Sequence, residues 1–537
     1  MTIEEIVKKF NLNPLVAKVL VARGTNTKKE IDNLLNASFE DLSPLENLPN
    51  IEKIAKKIKT HALFGDKIMI FGDYDADGIG SITILYRALK RLGKYVNVDW
   101  IVGNRYKDGY GLSKRVINEC IKKNIDLLIT LDCGISNRKE IKYAKDNGIE
   151  VIVIDHHEKD EEDLPECDFV DLKIRKGDYT FDQLCACGAT WRVAQYILDD
   201  DLYDLIDIVT LSTVADMVPL LGENRIIVKE GIKKIKEGNI NTGISELMYR
   251  KEIKNEELKT HHFGFKICPM INAVGRLGSA KPAVDILISD DEKKIATLGY
   301  KLLKKNEERQ DLTKKHLQKA IERVKEDDNI IIYKDKISPG IVGIVAGDLK
   351  EFFNKPAIVL SCDENSKELK GSCRSINPLS MYALLKECSD LLNTFGGHKM
   401  AAGLSIDADN LEEFTSRLCK LTEGIEYEEI KYDLKVCPTK MTKELIKDID
   451  RLVPFGMGNP KPKFYYEDLR AKSVKKSRSG EHLMFKVEGI DCIAFGAGDK
   501  YNLCKNNTIN IIYQPDINTY NGKTSLQLKV KKIVKKE

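Results

Sequence analysis

Three aspartates, Asp73, Asp75 and Asp77, alternate in the stretch FGDYDADGIGS (71–81), directly after the apolar run KIMI. Two carboxylates held ~4 Å apart repel by ~4 kcal/mol at an effective dielectric of 20, so three at the end of a buried strand need a reason. Other apolar runs end similarly. LDCG places Asp132, IDHH places Asp155, His156 and His157, and LSTVADMVPL places Asp216. If the strands form one parallel sheet, the crevice beyond their carboxyl ends gathers these groups. Carboxylates crowded beside imidazoles protonate or repel unless cations sit among them. Oxygen donors suit Mg²⁺ or Mn²⁺, and histidine shifts the preference towards Mn²⁺. Two ions ~3.5–4 Å apart form the clamp used for in-line displacement at phosphorus. Asp132, ending a central strand, is placed to bridge both.

Blander readings compete. DxDxDG alone also suits a calcium loop or a solvated acidic turn, and a histidine pair alone suits a polar strand end. Against an EF-hand, no glutamate occupies the twelfth loop position and the flanks are strand-like. Gly78 and Gly80 suggest a nucleotide loop, but no G-K-[ST] follows, which excludes a P-loop. Recurrence at successive strand ends argues against a solvated surface.

Stepping along the 537 residues, TIEEIVKKF and TKKEIDNLL read as short helices in an N-terminal segment, 1–50, closed by the connector SPLENLPN. Over 51–224, apolar runs (KIMIFG, YVNVDWIV, DLLITL, EVIVI) alternate with helical stretches near 80–92, 113–124 and 137–147. This pattern predicts an α/β domain with a parallel sheet and helices on both faces. Residues 225–327 read as helical, and the charged stretch from Glu292 as a connector or a solvated surface helix. Residues 328–427 return to α/β alternation. PFGMGNPKPKF (454–464) reads as a linker, and the strands around it in 428–537 suggest a small β-barrel.

Hydrophobic residues make up 42% and charged residues 31%, at a net charge of +3. The class is globular, and any nucleic-acid surface must be local. Thirteen cysteines without a CxxC pair read as reduced packing residues. No stretch approaches the ~20 apolar residues of a membrane span. MTIEEIVKKF lacks the apolar core of a signal peptide. The expected location is the cytoplasm, away from membranes.

At GDYDADG, NRYKDGYGL, LDCG, VIDHH and VADMVP the chain resembles the DHH phosphoesterase superfamily. INAVGRL, NEERQ, GIVGIVA, GSCRS, GGHKMAAG and PFGMGNPKPKF narrow the resemblance to the RecJ family within it, over roughly residues 50–537. The resemblance implies a DHH domain, a helical connector, a DHH-associated domain and a C-terminal OB-type barrel. It implies a single-stranded-DNA-specific 5′-to-3′ exonuclease of DNA repair and recombination, releasing mononucleotides with two Mn²⁺ or Mg²⁺ ions. Asp75 and Asp77 match the first-motif ligands, Asp132 the bridging ligand, His156 a metal ligand and Asp216 the last carboxylate. Asp73 completes or orients that set, and His157 faces the scissile phosphate beside Asp132. Some relatives carry a histidine where this chain has Phe71, and Cys373 stands where glycine is usual. Single-strand-binding protein and a RecQ-type helicase are the partners it implies.

Guanidinium forks suit phosphate oxygens. Arg105, Ser372 and Arg374 are assigned to a terminal 5′-phosphate, with Arg276 and Ser375 as further strand contacts. His398, in a glycine-rich turn, is expected to line the strand's path. The competing enzyme reading is a DHH-type phosphodiesterase acting on short oligoribonucleotides or cyclic dinucleotides. Those relatives need only two domains, so the extra barrel argues for a polymer. A pyrophosphatase would not need so large a chain, and a degenerate binding scaffold would be expected to have lost metal carboxylates.

Overall fold

The structure, a computed structural model, describes residues 1–175, 177–324, 328–362, 367–425, 427, 431–520 and 523–535. It divides into two compact units, one of residues 43–216 with 231–428 and one of residues 1–42, 217–230 and 429–537.

The first unit contains two sheets. Strands β1 (Ile68–Gly72), β2 (Val98–Val102), β3 (Leu127–Leu131), β4 (Glu150–Ile154) and β5 (Asp168–Val170) are all parallel, in the order β2-β1-β3-β4-β5. Helices Ala76–Leu92, Lys114–Lys123 and Arg138–Asp146 connect successive strands. β1 and β3 are buried at every position, which is why they read as unbroken apolar runs. This strand order puts the topological switch point between β1 and β3, where α/β sheets open a ligand crevice. β5, with three residues, is too short to carry a periodic signal and was not anticipated.

The second sheet joins β6 (Ile331–Asp335), β7 (Ala357–Ser361), β8 (Glu368–Arg374), β9 (Leu392–Gly397) and β10 (Ala401–Asp407) in the order β6-β7-β8-β10-β9. Only β6 and β7 pair in parallel, so this α/β module is mixed. Between the modules runs the 32-residue helix Glu292–Arg323. It buries Ile295, Gly299, Leu302, Asn306, Thr313, His316 and Ala320, at steps of three, four and once seven residues. That stripe packs on helices of both modules, among them Cys268–Arg276 and Val342–Phe353.

The second unit is a seven-stranded sheet ordered β11-β12-β16-β17-β15-β14-β13, with β11 (Leu434–Lys435), β12 (Phe464–Leu469), β13 (Lys472–Lys476), β14 (Leu483–Val487), β15 (Ile490–Ala494), β16 (Ile509–Tyr520) and β17 (Lys523–Lys535). Ile6, Val16, Leu20 and Ile31 from the N-terminal helices share one core with Phe464, Leu483, Ile511 and Tyr513. The stretch expected to be a linker is folded. Asn459 Nδ2 donates to the Leu452 and Pro454 carbonyls at 2.8 and 2.9 Å, Leu220 N donates to Met457 O at 2.8 Å, and Phe464 opens β12. Parts of the expected strand IEYEEIKYDLKV and the end of KVKKIVKK fall outside the described residues.

Candidate metal centre

Asp73 follows β1 directly and is 4% exposed. Asp75 caps the helix Ala76–Leu92, its Oδ1 accepting from Asp77 N at 3.0 Å and Gly78 N at 3.3 Å, the ordinary use of an aspartate at a helix start. Gly78 is required by packing rather than by a phosphate: a Cβ there would lie 2.5 Å from the Asp73 carbonyl. Asp77 points inward and accepts from Ala186 N (2.8 Å) and Cys187 N (2.9 Å), at the start of the helix Ala186–Leu198. Asp132 follows β3 with a φ of +60°, a conformation that costs a non-glycine residue on the order of 1 kcal/mol. Its carboxylate is thereby aimed into the crevice.

β4 delivers the histidines. Asp155 Oδ1 accepts from His156 N (2.8 Å) and from His157 Nδ1 (2.7 Å), and Oδ2 accepts from Ile135 N (3.1 Å). Asp155 thus orients His157, a role that sequence reading missed, although residues two apart on an extended chain share a side. The Tyr110 hydroxyl, also missed, lies 3.1 Å from His157 Nε2. His156 Nε2 lies 3.3 Å from Asp132 and 3.8 Å from Asp77, and its Nδ1 lies 3.7 Å from Asp216. Asp216 closes the helix Ile206–Ala215, the helix end that disfavours a carboxylate.

Electrostatically this cluster is incomplete. Burial, then repulsion from neighbouring aspartates, holds Asp73 and Asp132 well above the usual carboxylate range. Burial and then Asp75 push Asp77 to about 6, and burial and then Asp77 push Asp216 to about 8. Burial also drops His156 to about 3, so its short approaches to carboxylates are not ion pairs. Both of its ring nitrogens are buried without a hydrogen-bond partner. His157 behaves oppositely: burial disfavours its charge, but Asp155 outweighs burial and lifts it to about 9. Three groups bring ligand atoms within 4.8 Å of one another: Asp73–Asp75–Asp132, Asp77–His156–Asp216 and Asp132–His156–His157. Neutral buried imidazole and repelling carboxylates are the donor set that divalent cations fit.

Away from this cluster, the Arg105 guanidinium lies over the Tyr74 ring at 4.3 Å, and its Nε is buried without a partner. Arg276 donates from Nη1 to Gly340 O at 3.1 Å. Burial, then nearby Arg105, lowers its pKa to about 10. On β8, Arg374 Nη1 lies 3.0 Å from Ser372 Oγ, and a side chain at Gly343 would press on both residues. Ser375 is 1% exposed and donates its hydroxyl to Leu379 O at 2.9 Å. His398 is exposed at the β9–β10 turn, its N–H donating to Ala401 O at 2.8 Å. Arg309, unanticipated, grips Asn306 Oδ1 through Nε (3.2 Å) and Nη2 (2.9 Å).

Residues 67–216 match the DHH family N-terminal domain, 327–424 the DHHA1 domain and 432–532 the RecJ OB domain. The chain is 33% identical over 545 residues to the single-stranded-DNA-specific exonuclease RecJ of Bacillus subtilis, covering 98% of this chain and 69% of that protein. It is 30% identical over 560 residues to the Escherichia coli exonuclease of the same name, covering 96% and 95%. The crystal structure of Thermus thermophilus RecJ in complex with Mn²⁺ superposes with a TM-score of 0.87 at 26% identity, covering 100% of this chain and 78% of that one. With the three domains in order and relatives at this identity over nearly its whole length, the chain belongs to the RecJ family.

Proposed function

We propose that this protein is a 5′-to-3′ exonuclease that removes mononucleotides from single-stranded DNA with two divalent ions, Mn²⁺ or Mg²⁺. The observation that carries the reading is the set of overlapping carboxylate–imidazole groups beyond β1, β3 and β4, in a chain aligned along its length with RecJ exonucleases. Asp73, Asp75, Asp77, Asp132, His156 and Asp216 would hold the ions, with Asp132 and His156 each in two of the groups. Such a pair of ions supplies an activated water and offsets charge on the phosphate oxygens.

The chain's own side chains do the rest. His157, its Nδ1 committed to Asp155, presents a protonated edge to a phosphate oxygen. The Tyr110 hydroxyl, 3.2 Å from Nδ1 and 3.1 Å from Nε2, restrains that ring. Arg105, Ser372 and Arg374 offer charged and neutral donors to a terminal 5′-phosphate. Within the C-terminal unit, Lys461, Lys463, Lys529 and Lys531 crowd together. Tyr432 and Tyr465 stack at 4.8 Å. Backbone charge and base stacking of this kind hold single strands without reading sequence. The short-oligoribonucleotide alternative leaves that unit unexplained. Among the described residues no helix is long and apolar enough to cross a membrane. We place the enzyme in the cytoplasm, with single-strand-binding protein and a RecQ-type helicase as partners.

The test uses 5′-phosphorylated single-stranded DNA labelled at its 3′ end, with Mn²⁺, beside duplex and RNA equivalents. Mononucleotides should leave the DNA 5′ end and be absent with Asp132→Ala. Survival of the DNA with cleavage of dinucleotides or short RNA would overturn the reading in favour of the alternative.

A further inference from the structure

The metal cluster sits on the first sheet and the Ser372–Arg374 pair on the second. A cut one nucleotide from the end requires a fixed spacing between them, and a chain of contacts crosses that gap. Gly103 N donates to Gly72 O at 2.9 Å, tying the loop after β2 to the end of β1. Asn104 then folds a tight turn, its Oδ1 accepting from Tyr106 N (3.0 Å) and Lys107 N (3.2 Å). From this turn Tyr106 reaches over, donating its hydroxyl to Arg276 O at 2.5 Å with Ser338 Oγ 2.9 Å away. Arg276 returns a bond to Gly340 O at 3.1 Å. The approach at Gly340 is so close that any Cβ would collide with the Arg276 carbonyl. Two residues on begins the helix Val342–Phe353, where Gly343 abuts Ser372 and Arg374.

We infer that Tyr106 is a positioning residue whose hydroxyl, through Arg276 and Ser338, sets the distance between the metal centre and the Ser372–Arg374 anion site. It thereby fixes the length of product released. The ring is 47% exposed, so burying apolar surface is not its main task. Its hydroxyl joins the loop after β2, the helix Cys268–Arg276 and the start of the second module at a single point. The inference rests on the proposed assignment of Ser372 and Arg374 to the terminal phosphate.

The test compares wild type with Tyr106→Phe, Gly340→Ala and Arg374→Ala on 5′-phosphorylated and 5′-hydroxyl single-stranded DNA, resolving product length. Tyr106→Phe keeps the ring and loses both bonds. In the first turnovers, before short products are cut again, it should release dinucleotides alongside mononucleotides and narrow the 5′-phosphate preference by on the order of tenfold, since a misplacement near 1 Å can cost about a hundredfold. Gly340→Ala, which wedges the same joint, should shift products in the same direction. A merely structural role would lower total activity without changing product length. Unchanged product length and phosphate preference in both joint variants, with Arg374→Ala losing the preference, would overturn the inference alone. If wild type shows no phosphate preference, or Arg374→Ala keeps it, the anion-site assignment has failed instead.

Discussion

A carboxylic acid that keeps its proton near neutral pH must release it before it can ligate a cation. Asp216, held at about 8, and Asp77, held at about 6, are raised above the ordinary carboxylate value, so below those values a proton competes with the metal. Mn²⁺ affinity should therefore rise between pH 6 and pH 8, with protons released on binding. Titration calorimetry in buffers of different ionisation enthalpy reads both, and a flat affinity would separate these acids from the site. Asp155 makes a contrasting case. Burial opposes its charge, but the hydrogen bond from His157 keeps it below the usual range. Its hydrogen bond points to a role through His157 rather than on a metal. Asp155→Asn should cost about 10–100-fold in turnover, as lost orienting partners typically do, while Mn²⁺ binding persists. Loss of Mn²⁺ binding would make Asp155 a ligand. This division of labour in IDHH was not legible in the sequence, because rotamer rather than residue type decides which acid orients and which ligates.

At the scale of elements, the junction of β1 with the helix Ala76–Leu92 does most to aim the acids. β1, β3 and β4 were legible because strands buried on both faces read as unbroken apolar runs. β12 and β13 were not: β12 opens within the supposed linker, and lysines at Lys472, Lys475 and Lys476 mask β13. Gly78 and Gly80 raised the question of a nucleotide loop, and the structure assigns them to packing instead. The first turn of the helix lies against the Asp73 backbone, and a side chain at Gly80 would collide with Ser212 Oγ. Gly78→Ala should push the helix start off Asp73, lowering Tm and weakening Mn²⁺ binding at least tenfold, since overpacking costs about 1–3 kcal/mol. Gly93, at the other end of the same helix, has open space around its Cβ position and serves as control. Equal behaviour of the two alanine variants, by thermal melts with and without Mn²⁺, would exclude the packing account.

For the molecule as a whole, motif order revealed which modules are present but not which segments share a core. Ile6, Leu20 and Ile31 pack with Phe464 and Tyr513, and a pairing so distant in sequence leaves no local periodicity to read. The lysine cluster of the C-terminal unit was equally hidden, because bulk net charge is only +3. Lys461 lies 3.3 Å from Asp516, which Lys529 also engages. Burial and then Lys529, Lys463 and Lys461 lower the Lys531 pKa, marking a surplus of positive charge that a polyanion would relieve. Each phosphate neutralised on a single strand contributes about −0.7 to the slope of log K against log salt. Lys463→Gln with Lys531→Gln should therefore flatten that slope by ~1.4 for a long single-stranded DNA. The same pair should leave cleavage of a 5′-phosphorylated dinucleotide unchanged, because a substrate that short requires only the metal centre and the Ser372–Arg374 pair. Parallel salt slopes for the double variant and wild type would show that the strand does not pass over these lysines. A matching fall in dinucleotide cleavage would show that they act on the chemistry rather than on the grip.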